Sequence, residues 1–383
     1  MANNSNLGAA KAAKNDEFYT QYADIQKEIN AYLEYNPNTF RDKTVLLPCD
    51  DPEWSNFTRF FAQNFERLGL KRLISTSYAV ESKKYKDYQP TLFETESPLF
   101  DNDKTRIKGK IFELTNDANG SGRIDIDDLK WHYLEGDGDF RSPEVCALRD
   151  QADIIVTNPP FSLFREFLAW IVDADKQFLI IGNMNALTYR EVFPLVRANR
   201  LWYGPSISSG DREFMIPESY PIEAAGWRID ENGKKYIRVK GVRWFTNLEH
   251  GLRHEPLRLM SMKDNIRFGK HKDIKEGGYP KYHNYDAIEV PYTDAIPEDY
   301  VGKMGVPITF LDKYCPEQFE IIGLTANAET MDIPVQLGTS FMKDYREQGG
   351  TGHFSDKMYG VCYYSHDGKA KVPYGRIIIR KKQ

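Results

Sequence analysis

The alternation of β-forming and helix-patterned segments predicts an α/β fold: a parallel sheet wound with helices on both faces, followed by a smaller mixed α+β region. Three observations carry that expectation. "TVLLP" at 44–48, "NFTRFFAQNFERLG" at 56–69 and "KRLISTSY" at 71–78 read as strand, helix and strand. The same alternation returns as a strand at 153–157, a helix "LFREFLAWIVD" and a strand "QFLIIGN". Beyond Tyr203 the chain becomes rich in turns, with Gly and Pro dense over 277–307, so a domain boundary is set near 250.

Taken in order, residues 1–14 form an Ala-, Asn- and Lys-rich flexible leader. From Tyr19 to about Glu34, apolar side chains at Tyr22, Ile25, Ile29, Tyr32 and Leu33 have the spacing of an amphipathic helix. After the first β-α-β run, which closes its helix at Gly69, a polar, proline-containing insertion spans about 80–135. Within it, "DANGSGRIDIDD" at 117–128 has the ligand offsets of a calcium loop. The preceding "KGKIFELT" is β-branched and aromatic where such a loop needs an entering helix, so a turn-rich hairpin is expected instead. "ENGKKYIRVKGVRWFTN" at 231–247 reads as another hairpin. The expected domains are therefore a catalytic domain over 15–250 and a recognition region over 251–383.

With 383 residues and 41% hydrophobic content, the chain is long enough for two ordinary cores. It has no signal-like N-terminus and no run of the roughly 18 apolar residues a membrane span needs, so a cytoplasmic protein with no membrane partner is expected. The four cysteines form no C-x-x-C pair, which argues against a zinc knuckle or a disulfide framework. Net charge is −5, but residues 251–383 carry 19 Lys and Arg against 18 Asp and Glu, so the acidity lies in the first 250.

The stretch "DIIVTNPPFSLF" at 153–164 ends a buried strand with an amide, two prolines and an aromatic ring. Prolines fix φ and lack an N–H, so the loop that follows is stiff and aims Asn158 and Phe161. The carboxyl end of a parallel strand is where such sheets bind ligands. An exocyclic aromatic amine, such as N6 of adenine, is a poor nucleophile because its lone pair is delocalised into the ring. The Asn158 amide oxygen and the Pro159 carbonyl can each accept one amine hydrogen, which favours a tetrahedral nitrogen with its lone pair directed outward. Pro160 keeps the pair rigid, and Phe161 offers a face on which an extruded base can stack.

These residues resemble the amino-methyltransferases of DNA, whose motif is (Asp/Asn/Ser)-Pro-Pro-(Tyr/Phe/Trp). "NDEFYTQ" at 15–21, "LLPCDDPEWSNF" at 46–57, "GDGDF" at 136–140, "GVPITFLDKYCPEQFEIIG" at 305–323 and the closing "YGRIIIR" make the chain similar to the EcoRI-type adenine-specific DNA methyltransferases from Asn15 onward. The resemblance implies a Rossmann-like S-adenosylmethionine-dependent methyltransferase sheet, transfer of a methyl group to N6 of adenine in a specific duplex sequence by base flipping, and a role in a restriction-modification system. It implies that Tyr19 and Thr20 meet the carboxylate end of S-adenosylmethionine at a helix N-terminus, and that Asp50 or Asp51 takes its ammonium. It also implies that Asp139 accepts from the cofactor's adenine amine while Phe140 packs on that ring, and that Asn158, Pro159, Pro160 and Phe161 hold the target base. Double-stranded DNA is the implied partner, a cognate endonuclease would act separately, no metal is required, and a monomer is expected.

The chain departs from the wider class in having no glycine in "DPEWSNF" and no acidic residue in "STSY". Two other readings are therefore carried forward. One is a methyltransferase acting on RNA or on a protein glutamine side chain, and the other is a DNA-binding protein whose catalytic function has decayed.

Overall fold

The structure, a computed structural model, describes residues 19–48, 50, 55–79, 95, 97–118, 120–124, 128–208, 211–216, 226–325 and 333–382. The leader at 1–14 and Asp51 lie outside the described residues. The chain divides into two compact units, one of residues 1–184 with 203–250 and one of residues 185–202 with 251–383. Segment 185–202 thus groups with the C-terminal unit, where the sequence had assigned it to the N-terminal domain.

In the first unit, α1 (Tyr22–Tyr35) buries Ile25, Ile29 and Tyr32, the stripe that a 3.6-residue period sets on one face. β1 (Thr44–Leu47) is buried along its whole length. The helix that follows is two pieces, α2 (Asn56–Gln63) and α3 (Phe65–Leu68), closed by Gly69 in the left-handed conformation at φ 65°. β2 (Arg72–Ser77) leads through α4 (Asn102–Ile107) to β3 (Lys110–Leu114) and β4 (Lys130–Tyr133). Then come α5 (Pro143–Gln151), β5 (Ile154–Thr157), α6 (Phe164–Val172) and β6 (Gln177–Asn183). After β7 (Trp202–Tyr203), of which Trp202 groups with the second unit, the first unit ends with β8 (Asp211–Ile216), β9 (Trp227–Ile229), β10 (Lys235–Lys240) and β11 (Val242–Thr246).

Eight of these strands form one sheet in the order β4-β3-β2-β1-β5-β6-β11-β7. Its centre, β2-β1-β5-β6, is parallel, and β3, β4 and β11 run antiparallel to their neighbours. The α/β class expected from the alternation is the one the chain adopts. The strand order reverses between β1 and β5, which is the switch point where ligands of open α/β sheets bind.

Two local expectations have different outcomes. β3 and β4 pair directly, with Lys110 opposite Tyr133, so the two strands form a hairpin whose loop holds Asp117. In that loop the Asp117 carboxylate accepts main-chain N–H groups from Gly120, Ser121 and Gly122 at 2.7–3.1 Å, the work of a turn-forming aspartate. The second hairpin, 231–247, is corrected. β10 pairs with β9 before it and with β8 in a separate three-stranded sheet, whereas β11 crosses to the central sheet beside β6.

The second unit contains α7 (Phe193–Arg197), α8 (Met262–Phe268), α9 (Lys272–Gly277), β12 (Ile288–Glu289), β13 (Met304–Pro307), β14 (Phe319–Leu324), α10 (Thr339–Glu347), β15 (Tyr363–Tyr364), β16 (Ala370–Lys371) and β17 (Arg376–Lys381). Its four-stranded sheet runs β12-β13-β17-β14, with β17 central because Ile377, Ile378 and Ile379 are buried. The buried Glu289 carboxylate receives Arg376 Nη2 at 2.7 Å and Nε at 3.0 Å, and the Tyr282 hydroxyl donates to its other oxygen. Among the described residues no helix is long and apolar enough to cross a membrane.

Candidate active site

The site is built where β1 and β5 end. Asp50 follows β1, and its carboxylate is held from two sides: Ser55 Oγ donates to Oδ1 at 2.8 Å and Thr157 Oγ1 lies 2.5 Å from Oδ2. Thr157 Oγ1 is also 2.8 Å from the Pro48 carbonyl. The Asp50 carbonyl accepts from Ser75 Oγ on β2. One buried aspartate therefore joins the ends of three adjacent strands. Ser55 is at the same time the N-cap of α2, its Oγ accepting from Phe57 N at 3.1 Å.

Asn158 is the residue after Thr157, so the hydrogen bond at Thr157 fixes the base from which it projects. Asn158 is half-buried, with Oδ1 shielded from solvent, and Pro159 behind it is buried. Pro160 opens a 3-10 turn, Phe161–Leu163, in which Leu163 N donates to the Pro160 carbonyl at 2.9 Å. The half-buried Phe161 ring meets Phe214 edge to face, with centroids 6.4 Å apart. The next residue, Met215, exchanges main-chain hydrogen bonds with Tyr19 at 2.9 and 3.1 Å.

Thr20 completes the ring. Its carbonyl accepts from Asn56 Nδ2 at 2.7 Å, and Asn56 stands next to Ser55. Contacts thus run from Tyr19 through Met215, Phe214 and Phe161 to Asn158, then through Thr157, Asp50, Ser55 and Asn56 to Thr20. Of the residues singled out from the sequence, the structure brings together Tyr19, Thr20, Asp50, Asn158, Pro159, Pro160 and Phe161.

The "GDGDF" loop lies against the end of β2. Gly138 has φ 87°, and a Cβ there would stand 2.2 Å from the Ser77 carbonyl, so backbone contact leaves room only for glycine. Asp139 forms a two-point ion pair with Arg141, 2.9 Å to Nε and 2.6 Å to Nη2, which holds its carboxyl below the usual range. Arg141 also reaches Glu166 at 3.1 Å. Any ligand accepted by Asp139 must share the carboxylate with this guanidinium. Phe140 is fully buried, its ring edge-on to Phe167 at 5.0 Å and Trp170 at 5.6 Å, so it packs under α6 instead of facing outward.

Reasoning from the sequence missed Ser55, Asn56 and Thr157. Ser55 had a usable signal, a serine directly before a helix-patterned run. Thr157 had none, because its partner Asp50 is 107 residues away.

S-adenosylmethionine carries a carboxylate, an ammonium and polar ribose and adenine groups, so the donor set can be examined for fit. Thr20 Oγ1 is buried with no hydrogen-bond partner among the described residues. It stands at the N-terminus of α1, where Gln21 provides no side-chain cap and Nε2 turns instead to the Glu213 carbonyl at 3.4 Å. A buried hydroxyl beside an uncapped helix N-terminus suits a carboxylate. The residues fit the group at this end.

The opposite flank of the unit is held by Glu28. This carboxyl is fully buried, accepts from Tyr32 Oη at 2.8 Å and Ser206 N at 2.9 Å, and lies so close to Gly204 that a Cβ there would overlap it. Burial raises it to about 7, against which the hydrogen bonds from Ser206 and Tyr32 and the charge of Lys27 act. A folded-state value above the unfolded one means that the folded chain binds the proton more tightly, so the contribution is whole below about pH 4.5 and lost as pH rises through 7. We expect Glu28→Gln to abolish a fall in stability of about 3 kcal/mol between pH 5 and 8. Urea unfolding at the two pH values checks this, and an equal fall in the variant would contradict it.

The relatives of the chain are methyltransferases. The family model described as "Adenine-specific methyltransferase EcoRI" matches residues 6–382. The type II methyltransferase M.EcoRI of Escherichia coli is 43% identical over 334 residues, 87% of this chain and 93% of that protein. The type II methyltransferase M.MpnI of Mycoplasma pneumoniae is 34% identical over 321 residues, 83% of this chain and 85% of its own length. M.MgeORF184P of Mycoplasma genitalium, with the same type II description, is 33% identical over the same length. No solved structure matches the chain.

Proposed function

The chain belongs to the EcoRI family of adenine-specific DNA methyltransferases, and from that premise we propose that its site uses Asn158 and Pro159 to prepare N6 of an adenine flipped out of duplex DNA. The observation that carries the reading is the link from Asp50 through Thr157 to Asn158 at the switch point of the sheet. It supplies a rigid acceptor at the carboxyl end of β5, with a second acceptor, the Pro159 carbonyl, beside it.

Asn158 Oδ1 and the Pro159 carbonyl accept the two amine hydrogens, drawing the nitrogen lone pair out of conjugation. Phe161, buttressed edge-on by Phe214, receives the face of the extruded base. S-adenosylmethionine, when bound, supplies a methyl group already activated by a positively charged sulfur, so no side chain of tuned pKa is needed for attack. Thr20 and the α1 N-terminus would hold its carboxylate, and Asp50 or Asp51 its ammonium. Asp50 already accepts from Ser55 and lies against Thr157, so its first role is to position Asn158. We read the protein as a cytoplasmic monomer, with any cognate endonuclease a separate chain.

The test is incubation of unmethylated plasmid with methyl-labelled S-adenosylmethionine, followed by digestion to nucleosides. The label is expected in N6-methyladenine. A folded, cofactor-binding protein that labels no adenine, or that labels RNA or protein instead, would contradict the reading. Calorimetry with the cofactor separates it from a decayed site, which would release no binding heat. Phe161→Ala should weaken stabilisation of the extruded base by about 1–3 kcal/mol. It should therefore lower activity on duplex DNA more than on single strands, and equal losses on both would argue against stacking.

A further inference from the structure

The second unit contains a cleft of about 520 Å³ lined by Arg197, Asn199, Lys303, Glu320, Arg380 and Lys382, with Tyr314 among the neighbours. Its composition follows from strand alternation. β17 leaves the core after Ile379, and Arg380 and Lys382, two residues apart, share one face. Ile379 pairs with Met304, so Lys303 stands at the adjacent end of β13, while Glu320 of β14 pairs with Arg380. Arg197, at the last position of α7, adds a fourth cation.

Glu320 is satisfied by Arg380, with Nη2 to Oε2 at 2.7 Å. With Glu320 matched by Arg380, Lys303 and Lys382 leave the cleft with a positive excess on a chain whose net charge is −5. Lys303 rests over the Tyr285 ring with Nζ 4.9 Å from its centroid, which orients the ammonium without neutralising it. Residues two apart on a strand are separated by about 6.6 Å and neighbouring strands by about 4.8 Å. These cations therefore form a strip instead of converging on one point. A strip of cations suits consecutive phosphates of a polymer better than a single phosphate ion.

We propose that this cleft carries the sugar-phosphate backbone of the DNA substrate. The proposal rests on the reading that the substrate is duplex DNA, and it sets aside the other lysine-rich segment of this unit, Lys270, Lys272, Lys275 and Lys281. There, Lys270 pairs with Asp294 at 2.7 Å and Lys272 with Glu276 at 3.6 Å. The interleaved aromatics are also occupied: Tyr282 is buried on Glu289, and Tyr279 Oη donates to the Ala295 carbonyl at 2.6 Å.

The experiment measures binding of the full chain to a fluorescein-labelled duplex of mixed sequence across a salt series. Each phosphate contact contributes about 0.9 to the slope of log K against log salt. The triple variant Arg197→Gln, Lys303→Gln, Lys382→Gln should lower the magnitude of that slope by about 2–3 and weaken binding. Its melting temperature and heat of S-adenosylmethionine binding should be unchanged. Glu320→Gln, which removes the cleft's carboxylate, should bind more tightly with a steeper slope. Wild-type slope in the triple variant would overturn the proposal and assign the cleft to an acidic protein partner or to solvent. Absence of salt-dependent duplex binding by the wild-type chain would overturn both the proposal and the DNA reading beneath it, which keeps the two failures distinct.

Discussion

Asn158→Ala should lower kcat by about 10²–10³-fold while the affinity for S-adenosylmethionine stays within a few-fold. The size follows from what one preorganised polar contact to the reacting group contributes in a water-excluded site. The split follows from the site's layout. Asn158 follows the end of β5 and on the proposed reading acts on the amine, whereas the groups that suit the cofactor's carboxylate are Thr20 and the N-terminus of α1. Steady-state kinetics together with calorimetry check both halves. Loss of cofactor affinity with turnover preserved at saturation would reverse the assignment and make Asn158 a cofactor ligand.

Glu289→Ala should destabilise the second unit by about 3–5 kcal/mol, the usual consequence of stranding one member of a buried ion pair. The Glu289 side chain is 1% exposed and that of Arg376 12%, so removing the carboxylate leaves a guanidinium with little water to turn to. Tyr282 loses its acceptor in the same step. Burial and the adjacent carboxylate hold that phenol well above its ordinary value, so it remains a neutral donor across the accessible pH range. Denaturant unfolding is the measurement. Replacing all three polar groups, as Glu289→Leu with Arg376→Met and Tyr282→Phe, should recover much of the loss, because a well-packed apolar set costs less than an unpaired charge. A single variant as stable as the wild type would show that the pair carries no such weight.

The parts of the molecule legible in the sequence are those whose cause is local. The strand over 154–157 is a run of β-formers stopped by two prolines, and Asn158 could be aimed from that alone. Gly69 ends its helix because only a residue tolerant of the left-handed region closes a helix so cheaply. The loop at 117–128 was resolved in favour of a hairpin by the β-forming residues before it, and Asp117 folds back onto its own main chain.

Partnerships across long separations were not legible. Thr157 meets Asp50 over 107 residues, and nothing near either announces the other. β10 and β11 are joined by a tight turn at Gly241, so they look like a hairpin, yet β6 and β8 compete for them and win. Phe140 packs against the aromatic edges of Phe167 and Trp170 on α6, partners that its own motif does not announce. Lys270 likewise meets Asp294, a partner that nothing in its local sequence announces.

The most direct test of the central claim is the single-turnover rate of N6-methyladenine formation, at saturating DNA and cofactor, in the wild type, Asn158→Asp and Asn158→Ala. Binding and product release drop out of such a rate, so it reports on the amine alone. If an oxygen acceptor at the end of β5 prepares that amine, the aspartate variant retains much of the rate and the alanine variant loses most of it. Equal rates in all three proteins would contradict the account.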